Sequence, residues 1–118
     1  MRNFQDYSEL ACPFHGLLCL LSGSWTSYIL WLLQEHGELR FGELKKRLPG
    51  ISAKVLTERV RKLEEAGLVH RHHEPIIPPR VTYSLTHRGR ALQAPLLQLK
   101  TLAAEWNLAS ACPQSGLA

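Results

Sequence analysis

The sequence predicts a mainly α-helical domain with a small antiparallel β-hairpin, which places the chain in the α+β class. Three features between residues 41 and 85 lead to this prediction: a short helix ended by a Pro-Gly pair, an amphipathic helix with a charged outer face, and a two-stranded hairpin with a proline-rich tip. Helix, turn, helix and hairpin in this order form a winged helix-turn-helix, a shape that holds double-stranded DNA. The 118 residues suit one such domain, residues 1–118.

The first helix of this unit begins near Phe41 and must end before Pro49 and Gly50. Proline biases the preceding residue away from helical geometry and cannot continue a hydrogen-bonded helix. Ser52 is a good N-cap for the second helix, because its hydroxyl can accept from the free amides of the next turn. Gly67 is the residue at which this second helix is expected to end.

The second helix has two different faces. At about 100° per residue, Leu56, Val60 and Leu63 form one apolar stripe that is expected to pack inward. The opposite face is charged, and a recognition helix presents such a face to the major groove. The alternative is a solvated outer face, because acidic residues accompany the basic ones. The candidate DNA-binding residues on this helix are Ser52, Lys54, Thr57, Glu58, Arg61 and Lys62.

Two strand-like segments, residues 69–73 and 80–85, follow the helix and form the predicted wing. Apolar and polar side chains alternate in the second segment, so Thr82 and its polar neighbours are expected to face water. Three prolines in residues 75–79 stiffen the tip, which can lie along the phosphate backbone or dip into the minor groove. The wing residues expected to contact DNA are Arg80 and His72.

Composition narrows the classes of function. The net charge of +4 and the isoelectric point of about 9.2 favour a polyanionic partner, although many basic proteins never bind nucleic acid. The apolar stretch 14–33 is interrupted by small polar residues, so it predicts two short helices rather than a membrane span of about 20 residues. The first residues include acidic side chains and make a poor signal peptide. Because the three cysteines also do not suggest a secreted disulfide framework, we expect a cytoplasmic protein.

The chain is not expected to be an enzyme or to hold a cofactor. Glycine loops that cradle phosphates and hydrolytic triads are absent from the sequence. His70, His72 and His73 resemble metal ligands, but strand alternation sends His73 to the opposite face from the other two. No cysteine or carboxylate completes a tetrahedral set, so no metal site is predicted.

Several motifs, spaced in one order, together resemble the HxlR family of bacterial winged-helix regulators, which is related to the MarR type. They are CPFHGLLCLLSGSWTSYIL, RFGELKKRLPGIS, LTERVRKLEEAGLV and PPRVTYSLTHRGRAL, and the resemblance runs from Cys12 to about Trp106. It implies a homodimeric cytoplasmic transcription regulator that binds a palindromic operator. The chain departs from the family pattern at Ser24, where members usually carry lysine, and at Cys19, a position that is often acidic.

The two ends of the chain are expected to form a homodimer interface. From Thr86 a long helix is predicted, and Pro95 inside it should bend it. A domain this small can only partly cover the apolar stripe of this helix, so a second copy is expected to cover the rest. The alternative is that the helix packs entirely on its own domain. In a dimer the two recognition helices would face successive major grooves about 34 Å apart, so the operator should be a pseudo-palindrome. The stripe consists of Leu92, Leu96, Leu99, Leu102, Ala103 and Trp106.

The predicted organisation follows from these elements. It consists of a flexible arm (1–11), N-terminal helices (12–36), the helix-turn-helix and wing (41–85), a C-terminal dimerisation helix (86–109) and a flexible tail (110–118).

Control of DNA binding leaves alternatives open. Cys12 precedes Pro13 at a predicted helix start, where amide dipoles favour the reactive thiolate form. The family resemblance adds that members with a cysteine at the position of Cys12 often sense oxidants, aldehydes or quinones. Cys112 could be its resolving partner, because the N-terminal helix of one copy and the tail of the other can be neighbours in a dimer, so Cys12 and Cys112 are the candidate redox-sensing residues. An inert thiol is the alternative for Cys12, and Cys19 is expected to lie in the core.

Other functions remain possible at this point. Trp25, Tyr28, Trp31 and Trp106 could line a pocket for a small-molecule effector, although aromatic residues at helical spacing more often belong to the core. A thiol-redox protein and a winged-helix module that binds protein are the two remaining classes. The leading hypothesis is a sequence-specific DNA-binding regulator that acts as a repressor.

Overall fold

The computed structural model describes residues 12–23 and 25–108. The arm at residues 1–11, the tail at residues 110–118 and the two residues Ser24 and Cys112 lie outside the described residues. The elements run in the order α1 (Pro13–Leu21), α2 (Thr26–His36), β1 (Glu38–Arg40), α3 (Phe41–Arg47), α4 (Ala53–Glu65), β2 (Val69–Glu74), β3 (Arg80–Leu85), α5 (His87–Arg90) and α6 (Gln93–Glu105).

The helix ends predicted for α3 and α4 are confirmed. Helix α3 stops at Arg47, directly before the turn that holds Pro49 and Gly50. Ser52 is the N-cap of α4, and its hydroxyl oxygen accepts a hydrogen bond from the Val55 N–H at 3.1 Å. Gly67 follows α4 with a φ of +79°, a left-handed conformation that glycine adopts without steric cost.

The region 14–33 forms two helices, as predicted. Within the residues that the structure describes, no single helix is long and apolar enough to cross a membrane. Helices α1 and α2 reach that length and composition only when they are counted together across an 83° bend.

The sheet has three strands rather than the two that were predicted. The added strand, β1, pairs antiparallel with β3, and the strand order is β1-β3-β2. Strand β3 is therefore central, which corrects the expectation that Thr82 faces water. Thr82 is only 8% exposed, because Arg40 on β1 and His72 on β2 flank it on the same face of the sheet.

The core lies between the inner face of the sheet and the helices α2, α3 and α4. Predominantly aliphatic side chains from each of these elements and from the connecting turns fill it. Its buried members are Ile29, Leu30, Leu32, Leu33, Leu39, Leu44, Leu48, Ile51, Leu56, Val60, Leu63, Leu68, Val69, Tyr83 and Leu85.

The single C-terminal helix predicted from Thr86 is wrong in its continuity. The chain forms a short helix α5, breaks at Ala91 and Leu92, and restarts as α6. Pro95 does not bend a helix, because it lies in the first turn of α6, where a backbone N–H has no partner within the helix to lose. Thr86 caps α5 as predicted, since its hydroxyl oxygen accepts from the Gly89 N–H at 3.1 Å.

Candidate DNA interface

Helix α4 has its rotational setting fixed by the core. Leu56, Val60 and Leu63 are buried, so the opposite side of the helix must face away from the protein. Lys54 and Arg61 lie on that outer side and are exposed. Glu58 and Lys62 are exposed as well, and Thr57 is half-buried at the edge of this surface. The structure therefore places the candidate residues of α4 on one continuous surface.

Two hydroxyls on this surface already make hydrogen bonds. The Ser52 oxygen accepts the cap bond from Val55, and the Thr57 hydroxyl donates to the Ala53 carbonyl oxygen at 2.8 Å. A hydroxyl has one donor and two acceptor sites, so Ser52 keeps its proton for a phosphate oxygen, whereas Thr57 has used its proton and keeps only its acceptor sites. This difference makes Ser52 the better phosphate contact of the two.

Charge is unevenly distributed along α4. Lys54 lies in its first turn, whereas Glu64 and Glu65 lie in its last turn, about 15 Å further along the helix axis at 1.5 Å per residue. When a helix enters the major groove with its N-terminal end, the residues of the first turns approach the bases. The acidic end of α4 is then the end farthest from the bases. The acidic residues at this end are therefore compatible with DNA contact by the first turns of α4, and they do not require a face that only meets water.

The turn before α4 adds basic residues that were not among the sequence candidates. Lys45, Lys46 and Arg47 end α3 and are exposed, and only residues 48–52 separate them from α4. Gly50 gives this turn its tightness with a φ of +92°. The first helix of a helix-turn-helix crosses the phosphate backbone, where such side chains add affinity without reading bases. The signal that could have found them is the run of three basic residues.

The wing forms a stiff hairpin with a charged pair next to an apolar tip. Arg80 and Glu74 are the register partners that flank the tip segment 75–79, and their side chains approach to 3.9 Å. An ion pair this exposed contributes little, so it does not prevent Arg80 from exchanging Glu74 for a phosphate. Ile77 at the tip is 99% exposed. Apolar side chains in this position resemble the wedges that minor-groove binders insert between bases.

Arg40 joins the wing residues on the outer face of the sheet. It stands across β3 from His72, with Thr82 between them, and it lines a cavity of about 490 Å³ together with the wing residues 76–81. Arg40 is exposed, so its charge adds to that of Arg80 beside the same cavity. The sequence did not suggest Arg40, because a three-residue strand carries too little alternation to be recognised.

The histidines of β2 follow the predicted alternation. His70 and His72 share one face, with ring centroids 6.3 Å apart, and His73 stands opposite Val81 on the other face. In the part of the chain that the structure describes, no group of three His, Cys, Asp or Glu side chains could hold a metal ion.

The cysteine near the N-terminus occupies the predicted helix start. Cys12 is the N-cap of α1, and its carbonyl oxygen accepts from the Gly16 N–H at 3.1 Å. Its side chain is exposed and makes no capping hydrogen bond. Cys112, its predicted partner, lies outside the described residues. The expectation that Cys19 lies in the core is wrong. Cys19 is half-buried, and its Sγ lies 3.4 Å from His15 Nε2.

The four aromatic residues that could have lined one effector pocket do not all lie in the same place. Tyr28 and Trp31 line a groove between α2 and α6, whereas Trp25 packs against the core and Trp106 is 63% exposed. Trp25 is the N-cap of α2 and Trp106 is the C-cap of α6, and neither of them lines the groove.

A winged helix-turn-helix with a basic, outward-facing second helix defines the chain as a transcription regulator with a helix-turn-helix DNA-binding domain. The chain belongs to the HxlR family: the model of the HxlR-like helix-turn-helix matches residues 20–111. The resemblance noted from the sequence motifs is thereby confirmed.

Relatives and solved structures agree with this family. An uncharacterised HTH-type transcriptional regulator, sll1512 of Synechocystis sp., is 42% identical over 101 residues, which cover 86% of this chain and 74% of that protein. The redox regulator HypR in its oxidised form superposes with a TM-score of 0.74 at 35% identity, covering 80% of this chain and 96% of HypR. The reduced form of the transcriptional regulator YodB from B. subtilis gives a TM-score of 0.70 at 33% identity and covers 86% and 98%.

Proposed function

We propose that the chain is a repressor that binds a pseudo-palindromic operator as a homodimer. The observation that carries this proposal is the surface of α4, on which Lys54 and Arg61 are exposed because Leu56 and Val60 are buried behind them. In the proposed complex, α4 reads base edges in the major groove. Wing residues Arg80 and His72 contact the backbone or the minor groove. The proposal places the chain in the cytoplasm, where the operator is.

Apolar surface at both ends of the described chain supports the homodimer. Phe14 on α1 is 68% exposed, and Leu102 on α6 and Trp106 after it are 38% and 63% exposed. Large exposed apolar side chains at both ends supply surface that a second copy of the chain would cover. A two-fold axis lets one such patch cover its copy, which is the commonest form of association. In that dimer the two copies of α4 read half-sites about 34 Å apart.

Fluorescence anisotropy with labelled upstream intergenic DNA tests this function. We expect specific binding with two chains per duplex and an affinity that falls about 10³-fold or more between 50 and 200 mM salt, because several phosphates release counterions. A duplex of the same length with shuffled sequence is the control and should bind more weakly at every salt concentration. If neither duplex binds at 50 mM salt, the chain does not act on DNA, and a protein partner for the wing becomes the better hypothesis.

Oxidation of Cys12 is the proposed signal that releases the operator. The exposed position of the thiol at the start of α1 supports it. Two structural relatives point the same way: HypR is described as a redox regulator in oxidised and reduced forms, and YodB has been solved in reduced and diamide-treated forms. In the proposed reaction, Cys12 and Cys112 of the second copy lose two protons and two electrons to diamide and form a disulfide. That bond would join the start of α1 to the tail of the other chain and shift the spacing of the two copies of α4.

Replacement of Cys12 by serine is expected to keep operator affinity and to abolish release by diamide. Diamide should lower the affinity of the unmodified chain about tenfold or more, which is within the usual range of coupling between two sites. Cys19→Ser is the matched control and should respond to diamide like the unmodified chain. Anisotropy before and after diamide measures the change, and a non-reducing gel shows whether the dimer is covalently linked. Release that persists in Cys12→Ser contradicts the sensor role.

A further inference from the structure

Helices α2 and α6 flank an open groove that lies apart from the DNA-binding surface. Its volume is about 560 Å³, which is within the range of small-molecule sites. Two aromatic rings from α2 and two leucines from α6 form most of its walls. The lining residues are Ser27, Tyr28, Trp31, Leu96, Leu99 and Lys100.

Among the described residues that line this groove, Lys100 is the one that carries a charge. Its Nζ lies 4.7 Å from the centroid of the Trp31 ring, which is a cation–π contact. Among residues 12–23 and 25–108, no carboxylate forms an ion pair with Lys100. The groove thus combines apolar walls with an ammonium group that has no acidic partner in the described part of the chain.

We propose that this groove binds an aromatic carboxylate. The ring of the ligand lies between the aromatic side chains of α2 and the leucines of α6, and its carboxylate accepts from the Lys100 ammonium. The Tyr28 side chain is partly exposed beside the same space and can add a second donor. Lys100 is exposed, and an acid can accept a charge-assisted hydrogen bond from its ammonium that a neutral ligand of the same shape cannot match, so the charge favours an acid.

A small ligand fits this groove better than a second copy of the chain. An apolar face from another copy would bury the Lys100 ammonium without an acid to pair it, which is costly. The exposed residues Leu102 and Trp106, which are available for the homodimer, do not line the groove. A homodimer contact through Leu102 and Trp106 can therefore coexist with a ligand beside Trp31.

The position of the groove suggests what the ligand does, and this step rests on the proposed function. Among the described helices and strands, α2 is the element on which α6 chiefly rests, and α2 also packs against α4. A ligand wedged between α2 and α6 changes the angle between the dimer-forming helix and the DNA-reading helix. Such a change alters the distance between the two copies of α4 and hence operator affinity.

Calorimetric titration of the full chain with 1-naphthoate, and with the neutral 1-naphthamide, tests the ligand site without DNA. We expect 1-naphthoate to bind, to change tryptophan fluorescence and to bind at least about tenfold more tightly than 1-naphthamide, because of its charge-assisted hydrogen bond. Lys100→Met should remove this preference. Gln98→Met is the matched control, since it adds the same side chain to an exposed position of α6 outside the groove lining.

Several outcomes overturn the ligand site. Equal affinity for the acid and the amide does so, as does full 1-naphthoate affinity in Lys100→Met. Absence of binding to the dimeric chain, combined with loss of dimerisation in Tyr28→Glu, assigns the groove to the second copy instead.

Operator anisotropy with 1-naphthoate separates this inference from the proposed function. We expect the ligand to change operator affinity about 5–150-fold, the usual range of coupling between two sites. If the chain binds the ligand but does not bind the operator, the ligand site is supported and only the proposed function is overturned. Operator binding without any ligand binding overturns only the groove. If both bind and the affinities do not change each other, the groove has no part in regulation.

Discussion

Lys54→Ala and Arg61→Ala are each expected to weaken operator binding by about 5–150-fold, which corresponds to about 1–3 kcal/mol per base contact. Both side chains are exposed on the side of α4 opposite the buried stripe, so their removal takes away DNA contacts and little packing. In a homodimer each substitution removes two such contacts, so this factor applies at each half-site and the total loss is about 30-fold or more. Anisotropy at constant salt measures the affinity, and circular dichroism checks that the fold is unchanged.

The two substitutions can also be told apart by what each side chain contacts. A side chain that reads a base edge loses discrimination between operator and shuffled DNA when it is truncated, whereas one that contacts phosphate lowers both affinities and reduces the salt slope by about one per contact. Glu65→Ala is the control, because Glu65 is exposed at the opposite end of the same helix. Normal operator affinity in both variants would mean that a different side of α4 faces the groove.

Gly89→Ala is expected to destabilise the fold by about 3 kcal/mol or more, at the upper end of the usual cost of overpacking. A Cβ at this buried position would collide with the carbonyl oxygen of Leu68. That oxygen cannot retreat freely, because it accepts a hydrogen bond from the Thr86 N–H at 3.0 Å. For a domain of this size the melting temperature should fall by roughly 12–20 °C. Thermal unfolding at a fixed protein concentration measures it.

Gly42→Ala is the matched control for this experiment. Gly42 also lies in a short helix, α3, but a Cβ there meets no atom within 4 Å. The substitution removes the flexibility of glycine from the unfolded chain and should stabilise the protein by about 0.5 kcal/mol. A melting temperature in Gly89→Ala equal to that of the unmodified protein would show that α5 does not pack against Leu68 as described.

Much of the helix-turn-helix could be predicted from the sequence, because its signals are local. The Pro49-Gly50 break, the Ser52 cap and Gly67 each act within one or two turns of chain, and all three appear where they were expected. The prediction of one continuous C-terminal helix was wrong because the local signals there were misleading. The sequence predicts that Pro95 bends a helix, but the helix begins just before Pro95, and the apolar spacing continues across the interruption at Ala91 and Leu92.

Several contributors to the candidate site could not be read from the chain. Arg40 reaches the outer face of the sheet only because β1 adds to β3, and a strand this short has no pattern of its own. Lys45, Lys46 and Arg47 were visible as a basic run, but only the buried position of Leu48 and the turn after it show that the run lies next to α4. The assignment of Ser52, Lys54, Thr57, Glu58, Arg61, Lys62, Arg80 and His72 to DNA stays a prediction until the variants are measured.

The sequence by itself determined where the helices of the DNA-reading unit begin and end and which face of α4 is charged, because caps, breaks and helical periodicity act between near neighbours in the chain. Only the tertiary structure decided that β3 is central, that Gly89 must lack a side chain, and that Lys100 stands over Trp31 in a groove between α2 and α6. These features join residues that are far apart in the chain. Their spacing in the sequence carries no signal, since packing alone brings them together.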